Sequence, residues 1–194
     1  MNLNSMKKIL LINSHPKKDS LCTALADKYS EGATKSKHEV KIVNLRDLEL
    51  SQYINFTHEE LPKLSADLLE VQKLITWSDH LVFVYPIWWA TPPALFKIFF
   101  EVIFHTGFAF QYQKSTGMIP KWDKLLPNKS ARVLVTMDTP PWYYKWFMGE
   151  PGYKMMKNNL LFCGFSTVRK NYFGIVKTSS EKQRQNWLKS AYKT

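Results

Sequence analysis

Two stretches of the chain carry the residue types best suited to chemistry. The first is Asn13-Ser14-His15-Pro16-Lys17-Lys18-Asp19-Ser20-Leu21-Cys22, which joins a short apolar run to a segment of helical spacing. A helix start has free backbone N–H groups and a positive dipole end, so it can hold a phosphate. Ser20 can cap that helix or donate its hydroxyl to an anion, and His15 can add a donor. The same residues suit a plain strand-to-helix turn equally well, with Pro16 ending the strand. Neither G-x-G-x-x-G nor G-x-x-x-x-G-K-[ST] occurs, so the common dinucleotide and P-loop fingerprints are absent.

The second stretch is Tyr85-Pro86-Ile87-Trp88-Trp89-Ala90-Thr91-Pro92-Pro93. It follows the most hydrophobic strand and precedes a helix. Adjacent tryptophans at a strand end cannot both point into one core, so at least one should border a crevice as a flat apolar wall. The planar ring of a flavin needs such a wall, with backbone polar groups at its edge. The alternative is that both tryptophans pack on a neighbouring subunit. Other candidates are weaker. His58, His80 and His105 have no metal-ligand spacing, and no metal site is expected. Cys22 sits at a helix start that would favour a thiolate, but no partner base is apparent. It reads as packing or as a backbone phosphate donor. Glu101 reads as structural or as part of a subunit contact.

These stretches must be positioned by elements that the hydrophobic pattern makes visible. Strands are expected at residues 7–13, 39–45, 80–85, 131–136 and 167–176. Helices are expected at 19–35, 59–77, 92–104, 149–163 and 180–192, the last capped by Ser179 or Ser180. Strands alternating with helices of this length imply a parallel sheet covered on both faces. The strands are continuously apolar, as two-sided burial requires. The expected fold class is α/β, a doubly wound five-stranded parallel sheet of order 2-1-3-4-5. Its crevice lies at the carboxyl ends of strands one and three. Residues 113–129 and 138–148 read as irregular loops, long enough to line a site or a partner surface.

The chain has 194 residues, 45% of them apolar, which is enough for one domain spanning 1–194 with a core that needs no staples. The net charge is +11, but the lysines run from Lys7 to Lys193 without a block of five or six. That pattern is a solvated basic surface that also favours small anions, and no nucleic-acid partner is expected. Two distant cysteines, no apolar run long enough for a signal peptide and none of membrane-spanning length point to a cytoplasmic chain without membrane insertion.

Residues 85–104 (YPIWWATPPALFKIFFEVIF), followed by Gly107-Phe108-Ala109-Phe110, resemble the signature of the flavodoxin-like NAD(P)H:quinone oxidoreductases. Pro86, Trp89, Pro93, Ala94, Lys97 and the Gly107 turn are in register with that family's pattern. His15-Pro16 and Ser20 stand where such proteins hold the flavin phosphates. Leu125-Leu126-Pro127-Asn128-Lys129 and Phe162-Cys163-Gly164-Phe165 extend the similarity over nearly the whole chain. One stretch departs from it. The family commonly has Thr-Thr-Gly-Gly after strand four, where this chain has Thr136-Met137-Asp138-Thr139-Pro140-Pro141. The proline pair removes two N–H donors and stiffens the loop.

The resemblance implies a flavodoxin-like fold, a tightly bound FMN or FAD, and NAD(P)H as co-substrate. Hydride would pass through the flavin to a quinone or similar planar acceptor, with the reacting partners held about 3–3.5 Å apart. His15, Ser20, Leu21 and Cys22 would bind phosphate; Pro86, Ile87, Trp88 and Trp89 would frame the ring; Thr136 would stand at its far edge. Tyr143 or Tyr144 would supply a catalytic phenol, while the whole segment Trp142-Tyr143-Tyr144-Lys145-Trp146-Phe147 suits a dimer contact as well as a substrate lid. A homodimer with a shared active site is implied. The alternative role is a flavin-binding regulatory subunit of a membrane transporter.

Overall fold

The computed structural model describes residues 6–55, 62–114 and 120–193. Strand β1 (Lys8–Asn13) leads into helix α1 (Leu21–Lys35), then β2 (Glu39–Asn44), α2 (Ala66–Trp77), β3 (His80–Pro86) and α3 (Ala94–Ile103). A two-stranded hairpin, β4 (Phe110–Tyr112) and β5 (Trp122–Lys124), precedes β6 (Ser130–Thr136). The short α4 (Pro141–Trp146), α5 (Pro151–Cys163), β7 (Thr167–Phe173) and α6 (Glu181–Tyr192) complete the chain.

The main sheet has five strands, all paired in parallel, in the order β2-β1-β3-β6-β7. This differs from the expected 2-1-3-4-5 because a hairpin takes two strand numbers: β4 lies just before the stretch read as irregular, 113–129, and β5 lies within it. Its cause is aromatic packing that a periodicity reading misses. Trp122 stacks on Phe162 of α5 at 4.5 Å between centroids and donates its indole N–H to the Phe162 carbonyl at 3.0 Å. The second stretch read as irregular contains α4, where Pro141 occupies the first turn, a position whose N–H has no intrahelical partner. The proline pair therefore removes no hydrogen bond from this helix. Residues 59–61 of the expected second helix, and His58, lie outside the described residues.

Both sheet faces are buried. Ile9, Leu11, Val82, Val84, Leu134 and Phe173 face α1 and α6. Leu10, Ile12, Phe83, Tyr85, Val133 and Val135 face the layer of α2, α3 and α5. Full burial of each Leu, Ile or Val contributes about 1.5–3 kcal/mol, and the pleat fixes which face each side chain takes. Winding reverses between β1 and β3, so the loops after these two strands flank the crevice. Among the described residues no helix is long and apolar enough to cross a membrane, and no group of His, Cys, Asp or Glu could hold a metal ion.

Candidate functional site

The loop after β1 is shaped by a buried asparagine. Asn13 donates through its side-chain amide to Thr23 Oγ1 at 3.1 Å and to Asn44 Oδ1 at 3.2 Å. Its Oδ1 accepts from the His15 N–H at 3.3 Å. Ser20 is the N-cap of α1: its backbone is extended and its hydroxyl oxygen accepts from Thr23 N–H at 3.2 Å. Leu21 and Cys22 follow as the first two helical positions, whose N–H groups precede the first intrahelical bond and remain open donors. No acidic residue occupies the first turn to compete with an anion there.

His15 accepts from Lys17 N–H at its Nδ1 at 3.0 Å, which leaves the ring proton on Nε2. Its pKa lies below the usual histidine value, chiefly through burial and then through the charges of Lys17 and Arg46. The ring is therefore neutral near pH 7. The His15 ring meets Trp88 edge-on at 5.8 Å, so the two loops singled out in the sequence join at this contact. Arg46, just after β2, is a cation near this loop that the sequence reading overlooked. Its side chain is only 15% exposed; its Nε pairs with Asp47 at 3.6 Å, while its Nη1 is buried with no protein partner. Ser14, at the base of the loop, likewise has a buried hydroxyl without a protein partner.

The loop after β3 is a tight two-residue turn. Trp88 and Thr91 exchange two backbone hydrogen bonds, of 2.9 and 3.1 Å, around Trp89 and Ala90. Both central residues are left-handed, with φ of 51° and 67°. Such turns favour Asn-Gly, and each non-glycine residue there carries about 1–2 kcal/mol of strain. Trp89 is fully exposed, so burial gives nothing back. We expect Trp89→Asn to raise unfolding stability by about 0.5–1 kcal/mol, read as an upward shift of the urea midpoint. A lower midpoint would show that the indole makes a stabilising contact in solution.

Tyr144 holds this turn in place. The ring is fully buried, and its hydroxyl donates to the Ala90 carbonyl at 3.1 Å while accepting from Gly152 N–H at 2.9 Å. Burial pushes its pKa up. With both hydrogen-bonding roles engaged by backbone, this phenol positions the tryptophan turn. Tyr143 is the more accessible of the pair, 43% exposed, and stacks on Phe147 at 5.3 Å. A cluster of tyrosines lies behind Tyr144: Tyr172 meets it edge-on, and Glu150, in a left-handed backbone conformation, forms an ion pair with Lys170 there.

Pro86 ends β3 beside Thr136, and Ile87 N–H donates to the Thr136 carbonyl at 2.7 Å. Thr136 is buried and its hydroxyl contacts Cys22 Sγ at 3.2 Å. Both side chains thus tie α1 to the sheet, and what each residue offers the crevice is backbone. The loop after Thr136 is braced from β7: Met137 N–H donates to Phe173 O at 2.9 Å, and Lys177 N–H to Asp138 Oδ1 at 2.7 Å. Burial raises the thiol pKa of both Cys22 and Cys163 to about 12. Neither thiol should react with Ellman's reagent at pH 8 in the native protein, and both should react once it is unfolded. Rapid native labelling would contradict this packing.

The Flavodoxin_2 family profile, described as a flavodoxin-like fold, matches residues 7–193. The chain is 27% identical over 209 residues to human ribosyldihydronicotinamide dehydrogenase [quinone], covering 94% of this chain and 87% of that protein. Smu.1420 from Streptococcus mutans UA159 superposes with a TM-score of 0.77 at 27% identity, covering 95% and 96% of the two chains. An FMN-dependent NADH-azoreductase from Bacillus anthracis, solved in complex with FMN, superposes with a TM-score of 0.68 at 18% identity, covering 96% of each chain. This last likeness speaks to the fold alone.

Proposed function

Because the chain belongs to the Flavodoxin_2 family of flavodoxin-like folds, we propose that it is a flavin-dependent NAD(P)H oxidoreductase that reduces quinones or similar planar acceptors. The observation that carries this reading is the His15–Trp88 contact, which brings the phosphate-type loop and the tryptophan turn together. The human relative's name supports the acceptor class.

The residues present fit a flavin, FMN or FAD. Its phosphate would be held by Leu21 and Cys22 N–H, the Ser20 hydroxyl and the neutral His15 Nε2–H. The Arg46 guanidinium, paired with Asp47 through Nε, keeps a buried Nη1 without a partner that suits an anion. The ring would rest against Pro86, Ile87, Trp88 and Trp89, with the Thr136 backbone beyond. When bound, the flavin accepts hydride from NAD(P)H and passes it to the acceptor. The chain's own part is to bind and orient these molecules and keep water from the ring. Tyr143, accessible on α4, is our candidate phenol for contacting the acceptor, with Tyr144 supporting it from beneath.

We further read the protein as a cytoplasmic homodimer. Trp142, Trp146 and Phe147 are 54%, 71% and 71% exposed, a concentration of aromatic surface suited to a second copy. The test is the absorbance spectrum of the purified protein, followed by steady-state NAD(P)H oxidation with a quinone. Flavin absorbance with quinone-dependent turnover is expected. A protein that takes up no flavin from excess, or a loaded one without turnover, would overturn the enzyme assignment.

A further inference from the structure

A cavity lies at the opposite end of the sheet from the tryptophan turn. It has a volume of about 970 Å³ and lies among the strand N-termini and the C-terminal ends of α1 and α6. Five cations line it, Lys7, Lys35, Arg132, Arg169 and Lys193, against one carboxylate, Asp79. That carboxylate is already engaged, accepting from Lys8 N–H at 2.9 Å.

The arginines are the telling feature. Arg132 on β6 and Arg169 on β7 are direct register partners. Strand alternation puts them on one face, the face where Leu134 and Phe173 meet α1 and α6. Like charges side by side on neighbouring strands destabilise a sheet unless something neutralises them. Arg132 donates through one guanidinium nitrogen to Asn171 Oδ1 at 2.6 Å, while its Nε is buried without a partner. Among the described residues none of the five cations forms an ion pair with a carboxylate. His80, which also lines the cavity, donates to or accepts from Ser130 Oγ at 2.8 Å. Its pKa is pushed down to about 4, by burial first and then by Lys7, Arg132, Arg169 and His38.

We propose that this cavity is an anion site, separate from the crevice, for a small molecule carrying a diphosphate group. Five cations facing one engaged carboxylate suit a ligand of three or four negative charges better than a single sulfate or carboxylate. Paired guanidinium groups match adjacent phosphoryl oxygens in geometry as well as charge. The volume falls in the range of small-molecule sites, roughly 300–1,000 Å³, and leaves room for an organic portion beyond the diphosphate.

The test is calorimetric titration of the full chain with inorganic pyrophosphate and, separately, with ADP, at ionic strength held constant with chloride. Saturable binding of at least one of them is expected, weakened tenfold or more in Arg169→Gln and in Lys35→Gln. Lys35 lies on the helix surface, so its replacement leaves the fold intact even should the arginine variant unfold. Tighter binding of ADP than of pyrophosphate identifies an organic diphosphate as the ligand, and the reverse identifies the inorganic ion. Ser20→Asp, which closes the other anion site, should leave this binding unchanged. Four outcomes would each overturn the proposal: no saturable binding of either anion, parental affinity in both pocket variants, loss of binding in Ser20→Asp, or equal binding of sulfate.

Discussion

Replacing Ser20 with aspartate is expected to leave the flavin-free protein as stable as its parent while lowering flavin affinity roughly a thousandfold. The serine hydroxyl caps α1 by accepting from Thr23 N–H, and its backbone is extended. Aspartate caps as well as serine, and a carboxylate at a helix N-terminus adds about 0.3–1 kcal/mol through the dipole. The same carboxylate would confront the phosphate that Leu21 and Cys22 are proposed to hold. Two like unit charges about 4 Å apart repel by about 4 kcal/mol at an effective dielectric of 20, nearly three decades in affinity. Ser20→Ala should separate the two roles from the other side, losing about 1 kcal/mol of stability with a much smaller loss of flavin affinity. Urea melts of the flavin-free proteins and fluorescence titration with flavin give the two numbers. Parental flavin affinity in Ser20→Asp would mean that the phosphate is held elsewhere.

The largest loss of stability is expected from Gly32→Ala, against the direction that helix propensity alone gives. Gly32 is buried in α1, where alanine would ordinarily gain about 1 kcal/mol. A Cβ at this position, however, would stand 1.9 Å from the carbonyl oxygen of Tyr192 and 2.8 Å from its carbonyl carbon. Those atoms are backbone at the end of α6, so relief requires moving a helix rather than turning a side chain. Overpacking of this kind typically costs about 1–3 kcal/mol and sometimes more. We expect a clearly lower denaturation midpoint and earlier proteolytic cleavage near the C-terminus. An unchanged or higher midpoint would show that α6 docks loosely.

Much of this architecture is written in local pattern. The apolar runs around Leu10, Val82 and Val133 announce strands buried on both faces, and the Ser20 and Ser180 caps mark where α1 and α6 begin. The first loop and the Trp88–Trp89 segment are visible because their residue types are unusual for their positions. What stays hidden depends on contacts distant in sequence. The β4–β5 hairpin depends on Trp122 finding Phe162, forty positions away. Arg46 looks like any surface arginine until the fold buries its Nη1. Tyr143 and Tyr144 are indistinguishable as a dipeptide, and only packing sends one inward to the Ala90 carbonyl and leaves the other accessible. The pairing of Arg132 with Arg169 is a property of strand register, which periodicity does not supply.

The turn at Trp89 and Ala90 bears on how such a protein can be improved. A library screened for heat resistance alone would enrich asparagine and glycine at these two positions, because the mirror-image backbone suits them. A winner changed at Trp89 would have shed the indole proposed to frame the ring. Selection that rewards only durability would therefore erode the working surface at this point, and the two pressures need to be applied together.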